Sequence, residues 1–375
     1  MGKRVCPICR EENVKIIKKI NMKIPREYHL PENYNVVACC SCGFVYADTS
    51  ATLEDYDWYY THCNFYGDDT KDDNSTRYDI VSGFIQNYFH KESVLLDIGA
   101  GNGRFEVALH RNGYLNITGV DPSEESILRL KREGISAYRG DIYSEVPLEE
   151  QNKYDGIFLF EVAEHLLLPD CGIENVNKML KKDGIFIISV PDYSQISEEK
   201  RDIPNYFNLE HINYFSEDSL DNLMGKHGLS RINQKRDGID LIHCYKKLEQ
   251  PREIRKDVKT EKAVRKYFVS QEGAWEKKCQ IIGELKETQR EIVIWGTGSY
   301  LMSLIANTDL LECNLLGFVD NNSIKQGREM YGYQIYSPSF LQKQSCTVLI
   351  CSMLNGNEIE KQLQGMGTNN DYIII

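Results

Sequence analysis

The sequence predicts an α/β protein in which a small metal-binding module precedes two units built on mostly parallel sheets. Three observations predict it. The apolar run Val94-Leu95-Leu96 ends at Asp97, turns through Gly99-Ala100-Gly101-Asn102-Gly103 and enters a helix carrying Phe105, Val107, Ala108 and Leu109. A second strand and glycine turn of the same kind begin at Ile292-Val293-Ile294-Trp295, and strands alternate with helices after both, the grammar of a parallel sheet. Two C-x-x-C pairs stand within the first fifty residues.

Composition narrows the classes. A chain of 375 residues has room for two domains or more, and 41% hydrophobic with 27% charged residues describes an ordinary soluble protein. A net charge of -12 and a pI of ≈ 5.3 argue against a nucleic-acid partner, whose phosphates want a basic face. No stretch approaches the roughly 18 apolar residues of a membrane span. Met1-Gly2-Lys3-Arg4-Val5-Cys6 lacks the apolar core of a secretory signal, so a cytoplasmic location is expected. In that setting the twelve cysteines read as metal ligands and buried thiols rather than disulfides.

The first module, with its aromatic linker, is expected over residues 1–75. Cys6-Pro7-Ile8-Cys9 and Cys39-Cys40-Ser41-Cys42-Gly43 can supply four thiolates, from Cys6, Cys9, Cys39 and Cys42, to one tetrahedral Zn2+. Ordinary thiols or a redox pair is the competing reading. Four thiolates leave no open coordination position, so the zinc is expected to be structural. Phe44-Val45-Tyr46 reads as a strand. The stretch from Tyr56 to Tyr66 is dense in aromatics and acids and suits either a substrate lid or packing, and Asp68 to Ser75 reads as a polar linker.

The central domain is expected over residues 76–250, opening with a helix from Tyr78 to His90. In the loop Asp97-x-Gly99-Ala100-Gly101-x-Gly103 the acid sits in the mouth, where a carboxylate repels a pyrophosphate and attracts a cation. S-adenosylmethionine (SAM) carries a sulfonium and an ammonium, and the loop resembles the first motif of class I SAM-dependent methyltransferases, a Rossmann-like fold. Asn116 to Val120 reads as the next strand, ending at Asp121, where an acid can accept both ribose hydroxyls; Pro122-Ser123 then starts a helix. Strand three, Ser136 to Arg139, ends in Gly140-Asp141-Ile142, which resembles the family's adenine contact; a solvated turn aspartate is the alternative. Strand four, Tyr154 to Phe160, runs into Glu161-Val162-Ala163-Glu164-His165-Leu166, which resembles the E-V-x-E-H-L stretch of bacterial class I methyltransferases and would put Phe160 and Glu161 near the cofactor.

A helix from Ile173 to Leu180 is expected to end at Lys181-Lys182-Asp183-Gly184, with the glycine as its C-cap. Strand five follows at Ile185 to Val190, then a helix capped by Ser216, then a hairpin at Asp237-Gly238. Between strand five and that helix stand Glu210 and His211, in a run rich in aromatics. A histidine there can take a proton from a sugar hydroxyl or an acidic carbon, and His165 competes for the same role. Lys200 and Arg201 are candidates for meeting phosphates.

The third domain is expected over residues 251–375: helical periodicity from Arg252 to Gln289, then a Rossmann-like βαβ unit with Asp320 at the ribose-acid position and a small parallel sheet. The third helix-facing glycine is replaced by Leu301, which weakens a dinucleotide reading. An ancillary role, or help in holding a sugar nucleotide, is expected.

Taken together, the chain resembles the deoxysugar C-methyltransferase family: zinc module, SAM domain, Rossmann-like domain. The run Gly317 to Arg328 and then Tyr336-Ser337-Pro338 is similar to that family's last domain, and Glu210-His211 falls where the family carries a Glu-His motif. Asn208 stands where the fullest motif has tyrosine. The resemblance implies a sugar or nucleotide-sugar substrate, a 4-keto sugar deprotonated beside its ketone, and no nucleic-acid or membrane partner. O-methylation of a glycan or nucleotide-sugar hydroxyl is the nearest alternative. A non-catalytic zinc and SAM-fold interaction protein, or an oxidoreductase using the last domain, are readings from other classes.

Overall fold

The computed structural model describes all residues except 1–3, 64–80, 82, 200, 202, 248–250 and 353–354. The chain opens with β1 (Val14–Asn21), β2 (Asn33–Cys39), β3 (Val45–Asp48) and α1 (Leu53–His62). Next come β4 (Leu95–Ile98), α2 (Arg104–Arg111), β5 (Ile117–Asp121), α3 (Glu124–Arg132) and β6 (Ser136–Arg139). Then follow β7 (Tyr154–Phe160), α4 (Pro169–Met179), β8 (Leu180–Pro191), α5 (Ile203–Tyr206), β9 (Asn213–Tyr214), α6 (Glu217–Lys226), β10 (Leu229–Asp237) and β11 (Asp240–Lys247). The last part holds α7 (Thr260–Thr288), β12 (Ile292–Trp295), α8 (Ser299–Asn307), β13 (Leu315–Val319), β14 (Glu329–Met330), β15 (Tyr333–Tyr336), β16 (Thr347–Ile350), α9 (Gly356–Gly365) and β17 (Asp371–Ile374).

Two compact units result. The first comprises Met1–Ile17, Val36–Ser197 and Glu210–Arg265; the second comprises Lys18–Asn35, Glu198–Leu209 and Lys266–Ile375.

The first unit holds a seven-stranded sheet in the order β10-β11-β8-β7-β4-β5-β6. Strands β8, β7, β4, β5 and β6 are parallel, and the β10–β11 hairpin closes the edge antiparallel to β8. Leu96, Ile157, Leu159 and Ile188 pack on one face and Leu95, Phe158 and Ile187 on the other. Both faces are thus covered, which is why these strands read as unbroken apolar runs. Asp97 lies in register with Gly119 of β5 and Phe158 of β7, so the order of the strands reverses at β4, the place where open parallel sheets bind their ligands.

Helix starts follow their caps. Ser123 accepts from the Ser126 amide at the start of α3, and Ser216 and Ser219 form a capping box for α6. Pro169 sits in the first turn of α4, which therefore begins earlier than the expected Ile173. That helix stops at Met179 instead of passing into a glycine-capped turn: Leu180 to Gly184 already belong to β8. A side chain at 184 would meet Leu180 and the Tyr154 carbonyl, so glycine there serves strand packing and not a helix cap. Of the helix expected over Tyr78–His90, positions 78–80 and 82 lie outside the described residues; Val81 and residues 83–85 are helical, 86–88 form a turn, and Val81, Ile85 and Phe89 are buried. The linker Asp68–Ser75, Tyr66 and Lys200 lie outside the described residues.

The second unit holds a six-stranded sheet, β14-β15-β13-β12-β16-β17. It is parallel from β15 to β17, with β14 antiparallel at its edge. The β14–β15 ribbon was not expected from the sequence. Periodicity from Arg252 resolves into one helix, α7, that starts only at Thr260. Among the described residues no helix is long and apolar enough to cross a membrane.

Candidate active site

The glycine turn after β4 is built around carboxylates. Asp121, at the end of β5, accepts from the Gly101 amide through Oδ2 and from the Ser123 amide through Oδ1, both at 2.8 Å. It thereby braces the turn and caps the next one. Burial raises its pKa and the two amides oppose that shift. Gly99, at φ +84, packs so close to Val162 that a Cβ would stand 2.4 Å from Cγ2, and only glycine fits that approach. The glycine turn is therefore seated on the segment that follows β7.

Asp97 is 3% exposed, and its Oδ1 finds no hydrogen-bond partner among the described residues. Directly beneath it, Glu106 of α2 is fully buried, with neither carboxyl oxygen reached by a donor. Burial pushes Asp97 up to about 7 and Glu106 well above the usual carboxylate range, with each carboxyl acting on the other. Two like charges this close cannot both persist in a dry site, so Glu106 keeps its proton and shares it with Asp97. Gly119 makes the room: a Cβ there would lie 2.9 Å from Glu106 Oε1. Sequence reasoning missed Glu106. The signal was an acid beside Phe105 at the first turn of an apolar helix face.

Asp141 lies exposed in its turn, where Oδ1 accepts from the amides of Tyr143 at 2.6 Å and Ser144 at 2.8 Å. Ile142 is buried against Gly172 of α4, and Asn175 donates to its carbonyl. Pro122 holds Arg139 through its carbonyl, and Phe160 meets Phe105 edge-on at 4.9 Å. Ala100 is buried, and its amide bonds back to the Val120 carbonyl.

Glu161 follows β7 in a left-handed conformation, φ +55, which costs a non-glycine residue on the order of 1–3 kcal/mol. Ser189 of β8 holds it there: its Oγ donates to Glu161 Oε1 at 2.6 Å, and its carbonyl accepts from the Glu161 amide at 3.1 Å. The turn that results carries Glu164 and His165.

His165 and His211 come together, with ring centroids 4.8 Å apart and planes at 89°. The Glu210 carbonyl, 3.1 Å from His165 Nδ1, can only accept, so it fixes the proton on Nδ1 and leaves Nε2 basic. Tyr193 Oη lies 3.0 Å from His211 Nδ1, a second hydrogen bond that orients a ring of the pair. Burial lowers the pKa of both rings, more strongly for His211, which also faces His165. The aromatic stretch supplies Tyr60, whose hydroxyl lies 3.2 Å from His165 Nδ1, and Tyr59, which donates to Glu210 Oε1 at 2.5 Å. Ligand atoms of Glu164, His165 and His211 lie within 4.8 Å of one another and could also hold a cation. Arg201 belongs to the second unit and is paired with Glu199 at 2.9 Å.

At the start of the chain, the sulfurs of Cys6, Cys9, Cys39 and Cys42 all lie within 4.8 Å of one another, Cys6 to Cys42 at 3.5 Å and Cys9 to Cys39 at 3.4 Å. These separations are far beyond a disulfide bond of about 2.05 Å and fit thiolates gathered on one metal ion. Gly43, at φ +78, closes the knuckle. A Cβ there would stand 1.9 Å from the Asp257 carbonyl, while the Asp257 amide donates to the Cys42 carbonyl at 2.8 Å. Arg4 is the other fastening the sequence did not reveal. Its guanidinium donates to the carbonyls of Leu166, Leu167 and Ile212, which flank both histidines, and to Asn213 Oδ1.

Comparison with known proteins agrees with this geometry. Residues 75–234 match a family described as a methyltransferase domain, and residues 288–374 match one described as C2185-like, N-terminal. Fold and match together make the centre of the chain a class I SAM-dependent methyltransferase domain. Ubiquinone biosynthesis O-methyltransferase of Glaesserella parasuis serovar 5 (strain SH0165) is 28% identical over 104 residues, 25% of this chain and 44% of that protein. The protein of the same name from Pelagibacter ubique (strain HTCC1062) is 32% identical over 104 residues, 26% and 42% of the two chains. The chain thus spans less than half the length of these curated relatives. The solved structure of PH0226 protein from Pyrococcus horikoshii OT3 aligns with a TM-score of 0.42 at 19% identity, covering 48% of this chain and 94% of its own.

Proposed function

We propose that this protein methylates a sugar, using SAM as donor, and that the acceptor is a nucleotide-linked 4-keto deoxysugar of surface-polysaccharide or glycan biosynthesis. One observation carries the methyl-transfer reading. Asp97 and Glu106, buried carboxyls that share a proton, lie at the glycine turn, which is seated on the segment that carries His165 beside His211. A buried carboxyl pair of this kind favours a cationic ligand, which stabilises its ionised form. Bound there, SAM supplies an electrophilic methyl group on a positive sulfur.

The chain's own residues do the rest. Asp121 keeps free lone pairs for ribose hydroxyls while bracing the turn. Asp97 faces the ligand's positive end with the partner that Glu106 gives it. The imidazole of His211, or of His165, takes the acceptor's proton; burial lowers both pKa values and so favours the neutral rings. Tyr59, Tyr60 and Tyr193 hold the histidines and Glu210 in place. The four cysteines hold a structural Zn2+, and the reaction is cytoplasmic.

The sugar acceptor rests on the resemblance of the whole chain to the deoxysugar C-methyltransferases. A second reading, methylation of a hydroxyl, is favoured by the two relatives that are named O-methyltransferases. Mass spectrometry of nucleotide-sugars incubated with SAM and the protein decides between them. A methyl on the carbon beside the ketone is the expected product. A methyl on oxygen establishes the second reading, and no methylated sugar at all overturns both.

A further inference from the structure

We propose that the second unit carries a ligand site of its own, which takes a single nucleotide, a nucleoside bearing phosphate. A cavity of about 360 Å³ opens at the carboxyl ends of its central strands. Its lining comes from the turn after β12 (Gly296 to Tyr300), the end of β13 (Asp320) and the end of β16 (Cys351). Strand β12 lies between β13 and β16, so this is the point where strand order reverses, and ligands of open parallel sheets bind there.

The polar groups around the cavity match a nucleotide. Asp320 repeats the bracing of Asp121. Its Oδ2 accepts from the Thr297 amide at 3.0 Å and the Thr297 hydroxyl at 2.5 Å, and its Oδ1 accepts from the Asn322 amide at 2.9 Å. A carboxylate offers about four acceptor positions, so room remains for a ribose hydroxyl. Lys325 lines the same cavity with Nζ 3.7 Å from Asp320 Oδ2, placing a positive charge beside the acid. No side chain caps the start of α8, and a Cβ built on Gly298 would meet nothing within 4 Å, so a phosphate has both amide donors and open space.

A second feature points to a ligand. Trp295 is 1% exposed and Tyr300 7%; both line the cavity, yet the indole Nε1 and the phenol oxygen have no partner among the described residues. Orphaned donors of this kind are costly unless something else satisfies them.

Size selects within the class. The volume lies at the lower end of the roughly 300–1,000 Å³ range of small-molecule pockets, which suits one nucleotide rather than two. Leu301, fully buried, also fills the position where a dinucleotide turn places its third glycine.

The test uses the full chain with Trp58 and Trp275 replaced by phenylalanine, leaving Trp295 as the sole reporter. ADP and UDP are titrated, with inorganic phosphate and NAD⁺ alongside. Saturable quenching by a diphosphate is expected, weakened about tenfold or more by Lys325→Ala and unchanged by His211→Ala. The second variant separates this site from the acceptor site of the first unit, so failure here leaves the methyltransferase reading standing. No response at millimolar diphosphate overturns the proposal, and so does a response that Lys325→Ala leaves intact. Equal affinity for phosphate alone, or tighter binding of NAD⁺, overturns it as well.

Discussion

His165 and His211 meet edge to face at 4.8 Å, each held at Nδ1 by a different neighbour, the Glu210 carbonyl for one and Tyr193 Oη for the other. Two different elements thus position the paired rings, and His165 Nε2 lies 3.9 Å from Glu164 Oε1. His211→Ala should cut turnover by roughly 10²–10⁴-fold, the usual worth of a general base, while leaving affinity for S-adenosylhomocysteine unchanged. Full activity in that variant would move the role to His165.

The pH profile should carry the same signature. Burial lowers both histidine pKa values, so the neutral base persists as pH falls through the ordinary histidine range of about 6.5. The acid limb of kcat/KM is expected below that pH. A limb centred above it would show that neither buried ring is the titrating group.

Asp97 gives a prediction with the opposite direction. Its carboxyl is pushed up to about 7, so the ligand-free fold binds a proton that the unfolded chain, titrating near 4, has released by then. Its contribution to stability is complete below the unfolded value and fades as pH rises through about 7. A cationic ligand favours the ionised form, so SAM affinity should rise between pH 6 and 8, with proton release seen by calorimetry in buffers of different ionisation enthalpy. Glu106→Gln should flatten that dependence, because the amide offers Asp97 a donor at every pH. An equally steep dependence in the variant would separate Glu106 from Asp97.

Asp121→Ala removes the brace on Gly101 and Ser123 together with the proposed ribose acceptor. Charge-assisted hydrogen bonds are worth about 1.5–3 kcal/mol, so S-adenosylhomocysteine should bind about tenfold to a hundredfold more weakly in isothermal titration.

Two glycines in the first unit separate crowding from conformation. Gly43→Ala meets the Asp257 carbonyl as well as adopting a positive φ, whereas Gly238, at φ +58, has nothing within 4 Å. Thermal denaturation should show Gly43→Ala costing more than about 2 kcal/mol and Gly238→Ala about 1 kcal/mol. Cys9→Ser should release the metal measured by atomic absorption and lower Tm; a full equivalent of zinc retained would remove Cys9 from the ligand set.

What the sequence made legible were features with a local cause. Strand ends, caps and the two glycine turns follow from Ser123, Ser216, Gly238 and the apolar runs, and the knuckles from cysteine spacing. What it concealed depends on distant partners. Gly184 looks like a helix cap until Tyr154 and Leu180 are seen against it. Glu106 looks like a solvated helix residue until Asp97 and Gly119 enclose it. Arg4 looks like part of a basic terminus until three segments, around Ala47, Leu166 and Ile212, are seen to converge on it. The β14–β15 ribbon is too short, two and four residues, to leave an alternation that can be recognised.

Arg4 sits two residues before Cys6, the first of the four clustered thiols, and grips the backbone that follows each of the paired imidazoles. A zinc ion held by the four cysteines, as proposed, would thereby be a remote governor of chemistry it never touches. Chelation should slow the reaction at saturating donor before the first unit melts, and restoring zinc should bring the rate back.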